Sequence, residues 1–120
     1  MIKSIAVFLL TVSVFFCHVV SAATCPKNPS QANQQGWRET QGNHPDFGSD
    51  TFIKATWQPN AGQNILTCIY KSINFPFPAA AYHTNIAKPT QQNWLPSRTN
   101  HNYLVCQDSI DNCTFNLGEK

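Results

Sequence analysis

The sequence predicts a mainly β fold: a small antiparallel sheet of three to five strands with long loops, stapled by two disulfides. Three observations predict it. Thr51–Trp57 and Ile65–Tyr70 are rich in β-branched and aromatic residues and flank the turn chemistry of Pro59-Asn60-Ala61-Gly62. Four cysteines follow an apolar N-terminal leader, a pattern that fits a disulfide framework in an oxidising compartment. No heptad, internal repeat or long amphipathic helical pattern competes with the strands.

The leader comes first in the chain. Lys3 supplies a positive n-region, Ile5 to Val20 an apolar run, and Ser21-Ala22-Ala23 the small residues of a cleavage site. The run falls short of the roughly 20 apolar residues of a spanning helix, so the expectation is a cleaved signal peptide over 1–23. No membrane insertion is then expected after cleavage. A lipoprotein reading through Cys25 is disfavoured, because Ala22-Ala23-Thr24 lacks the usual Leu. Residues 24–120 are read as one disulfide-stabilised β domain in the periplasm or secreted.

That segment holds seven Lys/Arg and six Asp/Glu, a balance of 7 − 6 = +1, with the charges scattered. No basic stripe marks a nucleic-acid binder, and no polybasic cluster marks an anionic membrane. Cys17 leaves with the leader. Cys25, Cys68, Cys106 and Cys113 lack the paired short spacing of a zinc site, so no metal and no cofactor is expected. Of the three possible pairings, Cys25–Cys68 with Cys106–Cys113 is preferred. The polar stretch Gln107 to Asn112 can turn back on itself, and Cys25 then ties the N-terminal segment to the strand holding Cys68.

Thr24 to Asp50 reads as loop, with a helical turn over Gln31–Gln35 stopped by Gly36, and Trp37 as an apolar anchor. In the hairpin, Ile53, Ala55 and Trp57 share one face by alternation, as do Leu66, Cys68 and Tyr70. Coincidence of those faces buries Trp57 beside Cys68. Ile73-Asn74-Phe75-Pro76-Phe77-Pro78 runs extended rather than as a central strand, since proline removes ladder donors. Ala79 to Ile86 is a third strand, and Lys88 to Asn102 a polar loop plugged by Trp94. Tyr103–Cys106 and Thr114–Leu117 are short terminal strands.

No catalytic motif rises from the chain. His44, His83 and His101 would have to combine with Glu39, Lys54 or Arg98 to make a small secreted nuclease or hydrolase, yet no spacing places a base beside a nucleophile. The bland reading is two solvated loop histidines and one strand histidine. Asn112-Cys113-Thr114 matches a glycosylation sequon, but Asn112 equally suits a turn. The candidate binding surface is Phe75, Pro76, Phe77 and Pro78, two rings on a pre-ordered backbone. The competing reading folds both rings into the core, and a small domain's need for every large apolar group favours it. Edge strands offer a second route to a partner strand.

The spaced anchors Cys25-Pro26, Trp37, Phe52-Ile53-Lys54-Ala55, Cys68-Ile69-Tyr70, Asn93-Trp94, Tyr103-Leu104-Val105-Cys106 and Cys113-Thr114-Phe115 give the chain a family look. It resembles the small exported EirA-like proteins of gammaproteobacteria of the Legionella and Coxiella type, which are periplasmic and associated with type IV secretion. The likeness covers nearly all of 24–120. The Gln- and Asn-rich N-terminal loop and the Phe-Pro-Phe-Pro strip depart from it. It implies a virulence-associated accessory role through a protein partner, allows a homo-oligomer, and carries over no catalytic residue. The leading expectation is therefore a non-enzymatic exported protein acting by protein–protein contact in the cell envelope. The alternatives are an inhibitor of a host enzyme such as lysozyme, or the histidine-based nuclease or hydrolase.

Overall fold

A computed structural model describes residues 22–40, 44–60, 63–74, 78–84, 87–90 and 92–117. The expected signal peptide therefore lies outside the described residues, save for Ala22 and Ala23. Phe75, Pro76 and Phe77 lie outside them as well.

The chain opens with a short helix, α1 (Pro29–Gln34), whose ends are dictated by sequence. Asn28 is the N-cap and accepts the Gln31 N–H at 2.7 Å, while the Gln31 side chain accepts the Lys27 N–H at 2.9 Å. Pro29 sits where its missing N–H costs nothing. At the other end Gly36 adopts φ 79°. The Trp37 N–H then reaches Ala32 O at 2.9 Å and the Gly36 N–H reaches Asn33 O at 3.2 Å, a Schellman closure. This closure turns Trp37 inward against the core.

Among the described residues eight strands follow: β1 (Arg38–Glu39), β2 (Phe52–Asn60), β3 (Gln63–Lys71), β4 (Pro78–Thr84), β5 (Ala87–Pro89), β6 (Leu95–Pro96), β7 (Leu104–Cys106) and β8 (Phe115–Leu117). Six of them form one antiparallel sheet in the order β1-β4-β3-β2-β7-β6, and β5 pairs with β8 in a separate ribbon. The sheet exceeds the expected three to five strands because the two-residue β1 and β6 extend its edges. The β2–β3–β4 meander at its centre is the hairpin and third strand read from the sequence, with Pro78 at the first strand position, where proline is tolerated.

Both expected disulfides are present, Cys25–Cys68 and Cys106–Cys113, with Cα separations of 5.9 and 5.7 Å. On the loop-closure model, sequence separations of 43 and 7 give about 4 and about 2.4 kcal/mol of stabilisation.

The core lies on one face of the sheet. Ala55, Leu66, Cys68, Tyr70, Ala81 and Cys106 point into it, and Cys25, Ala32, Trp37, Trp94, Ile110, Cys113 and Phe115 cover it. Trp37 meets Phe115 edge-on with ring centroids 5.7 Å apart. Tyr70 is the hub. Phe47 and Phe52 pack edge-on against its ring, and its hydroxyl donates to Pro26 O at 2.6 Å. Trp57 packs against the same cluster, as the alternation predicts. Ile53 does not. A register shift between Phe52 and Lys54 places Phe52 opposite Tyr70 and leaves Ile53 42% exposed. The bulge inserts one residue, so the alternation inverts before Lys54.

Candidate functional site

The strand registers define what lies on the sheet's other face. Across it runs a row with one residue from each strand: Arg38, Tyr82, Thr67, Thr56, Val105 and Leu95. Beside it, Lys54, Ile69 and Ala80 form a second row, and Gln58 pairs with Ile65 further along. None of these side chains is buried. On the core face Ala55, Leu66, Cys68 and Tyr70 are buried, whereas on this face Arg38 and Leu95 are exposed, Leu95 at 69%, and the other positions half-buried. The sheet thus presents one covered face and one open face.

At the β6 edge the open face deepens into a cleft of about 500 Å³. Leu95, Pro96 and Val105 form its apolar side, Lys54 and Arg98 bring two cations, and Asn93, Ser97 and Gln107 supply neutral polar groups. An adjoining hollow shares Asn93, Leu95 and Gln107 and adds Asp108 to the lining. The rim is built by local hydrogen bonds. Asn93 takes φ 67°, a left-handed conformation that Asn tolerates, and its side-chain amide donates to Asn112 O at 3.0 Å. Trp94 is buried behind it as expected and donates Nε1–H to Thr114 O at 2.8 Å. These two bonds fix the entry to β6 against the Cys106–Cys113 loop, so Leu95 emerges on the open side.

Asp108 is engaged inside that loop. Its carboxylate accepts from Asn112 Nδ2 at 3.1 Å and from the Ser109 N–H at 2.7 Å. The Asn112 bond first, then the Ser109 bond, favours the ionised carboxylate and holds its pKa below the usual range. Asn112 therefore serves the turn, and its backbone N–H also meets Ser109 O at 2.9 Å.

The histidines are dispersed. His44 is exposed, with Nδ1 3.1 Å from Glu39 Oε2, and its carbonyl meets the Ile73 N–H just past the end of β3. His101 is exposed between β6 and β7, beyond Leu104, which pairs with Trp57 toward the opposite end of the sheet. His83 lies in β4, with β3 and β2 between it and β7. Lys54 and Arg98 do come together, in the cleft, but without a described histidine. Among the described residues no group of three or more His, Cys, Asp or Glu side chains is placed to hold a metal ion. No described helix is long and apolar enough to cross a membrane.

Of the predicted binding strip, Pro78 is exposed at the start of β4, and Ile73 and Asn74 before it are exposed too. Both sheet edges are only two residues long, and β6 includes Pro96, which has no N–H to donate. They give an incoming strand little ladder to pair with. Sequence reasoning missed the open face. The signal was present in the residues out of phase with the core: Lys54, Thr56 and Gln58 in β2, Ile65, Thr67 and Ile69 in β3.

No protein-family model, no curated protein and no solved structure matches this chain.

Proposed function

We propose that this chain is an exported, non-enzymatic protein that works by protein–protein contact, with the open sheet face as its contact surface. The observation that carries the reading is the cross-sheet row from Arg38 to Leu95, in which no side chain is buried. An antiparallel sheet often leaves one face to water. Here that face also carries Ile65, Ile69, Val105 and Leu95, apolar groups that gain from being covered. The two disulfides fit an oxidising, extracellular-type environment. The likeness to EirA-like proteins supports the periplasm and an accessory role in type IV secretion.

Size bears on the kind of contact. Five inter-strand gaps of about 4.8 Å and a usable strand length of about 20 Å give roughly 500 Å² of face. A standard stable interface covers about 800 Å² per partner, so this face alone suits a transient contact.

The test is capture from the native host's envelope with the tagged protein and with a Leu95→Asp variant. Leu95 is exposed, so the variant keeps the fold. The expected result is a partner retained by the parent and lost by the variant. A clean monomer without a partner, or capture indifferent to Leu95, overturns the reading. Lysozyme inhibition that survives Leu95→Asp would move the function to another surface.

A further inference from the structure

We propose that the open face receives an extended acidic segment of a protein partner, with an apolar side chain seated against Leu95 and Val105 and carboxylates meeting Lys54 and Arg98. The inference rests on the contact-surface reading and specifies the partner's chemistry.

Charge carries it. The paired positions of the open face include Arg38, Lys54 and Lys71, and none is Asp or Glu. Arg98 joins Lys54 at the cleft. The ion pairs among the described residues are Lys27–Asp111 and His44–Glu39, and neither involves these four cations. The whole chain carries a formal charge of only +2, so the uncompensated cations are a property of this face rather than of the molecule. Three of the described acids already have partners of their own. Glu39 meets His44, Asp111 meets Lys27, and Asp108, in the lining of the adjoining hollow, is engaged by Ser109 and Asn112.

Other occupants fit less well. A second copy docking through the same face would set four cations against four. Single-stranded nucleic acid wants successive aromatic platforms, and Tyr82 is the one aromatic in the rows described. An acidic segment with alternating apolar residues answers both the cations and the apolar wall, and a cleft of about 500 Å³ is ample for one side chain.

The probe is a fluorescein-labelled octapeptide alternating Glu and Leu, read by fluorescence anisotropy against a counterpart alternating Lys and Leu. The Glu–Leu probe is expected to bind, to weaken about tenfold or more in Lys54→Glu/Arg98→Glu, and to weaken with added salt. A Lys54→Gln/Arg98→Gln variant is expected to fall between, which separates lost attraction from misfolding. Amide shifts on titration are expected at Thr56, Leu95 and Val105. Equal binding of the Lys–Leu peptide, indifference to both double variants, or stronger binding of polyuridylate RNA or phosphatidylserine vesicles overturns the proposal. So does dimerisation through this face. Host capture that depends on Leu95 but not on Lys54 and Arg98 would leave the contact-surface reading standing and remove the acidic partner.

Discussion

Tyr70→Phe isolates one hydroxyl in the most constrained part of the molecule. The phenol is fully buried and donates to Pro26 O at 2.6 Å, and Pro26 is itself fully buried. Removing the donor strands a carbonyl away from water while leaving the ring contacts with Phe47 and Phe52 in place. A buried polar group left unsatisfied costs about 1–3 kcal/mol, and the lost apolar burial is nil. We therefore expect urea denaturation to show a loss of about 2 kcal/mol with an unchanged m-value, a large share of the roughly 5–15 kcal/mol of a typical domain. The same side chain sets an alkaline limb. Burial pushes the Tyr70 phenol well above its usual range, so the folded state holds the proton that the unfolded state releases. The sign follows: this contribution is fully present below the unfolded value near pH 10 and is lost as pH rises above it. Tyr70→Phe should flatten that limb. A variant within about 0.5 kcal/mol of the parent, with the limb intact, would refute the hydrogen bond's role.

Four further outcomes follow from the packing. Replacing Cys25 and Cys68 by Ala should cost about 4 kcal/mol and replacing Cys106 and Cys113 about 2.4, a ranking checked by chemical denaturation; equal losses would contradict the loop-closure reasoning. Ile110→Ala should cost about 2–5 kcal/mol, because Ile110, within the short disulfide loop, is fully buried. Gly36→Ala should cost about 1–2 kcal/mol, since φ 79° is left-handed and any Cβ resists it; a neutral result in thermal unfolding would count against the Schellman closure. Ala23 exchanges two backbone hydrogen bonds with Phe115, at 2.7 and 3.0 Å, so a cut after Ala23 would remove a bridge to the core. Intact-mass measurement of exported material should find Ala23 retained, one residue earlier than the Thr24 start read from the leader.

What the sequence made legible follows from the range of each interaction. The β2–β3 hairpin was readable because its turn and its β-branched runs are adjacent in the chain. The disulfide pairing was readable because one pair encloses a short polar loop and the remaining two cysteines have no other choice. Strands β1 and β6 were not readable, since two residues carry no period. Ile53 was assigned to the wrong face because a one-residue bulge leaves no trace in composition, yet it inverts every position before it. Ile110 passed as part of a polar turn because its burial depends on joining the core cluster, contacts made only in three dimensions. The open face was missed for a related reason. Lys54 and Arg98 are far apart in sequence, and only the placement of β6 beside β7 brings them to one cleft.

The two disulfides explain why one face is covered and the other is not. Cys25–Cys68 anchors the N-terminal segment to the centre of the sheet on the core side, and α1 and Trp37 follow it there. Cys106–Cys113 folds the chain after β7 back to the same side, and Ile110 and Phe115 complete the layer. Both covering segments are thus committed to one face by covalent bonds. The other face is left with Thr56 paired to Thr67, a row that water solvates well, and with Leu95 and Val105, which it solvates poorly. A face evolved only for water would place charge or amide at the Leu95 position, where 69% exposure imposes no packing demand. An apolar residue there, beside two cations that have no ion pair among the described residues, is the combination that the proposed contact surface uses.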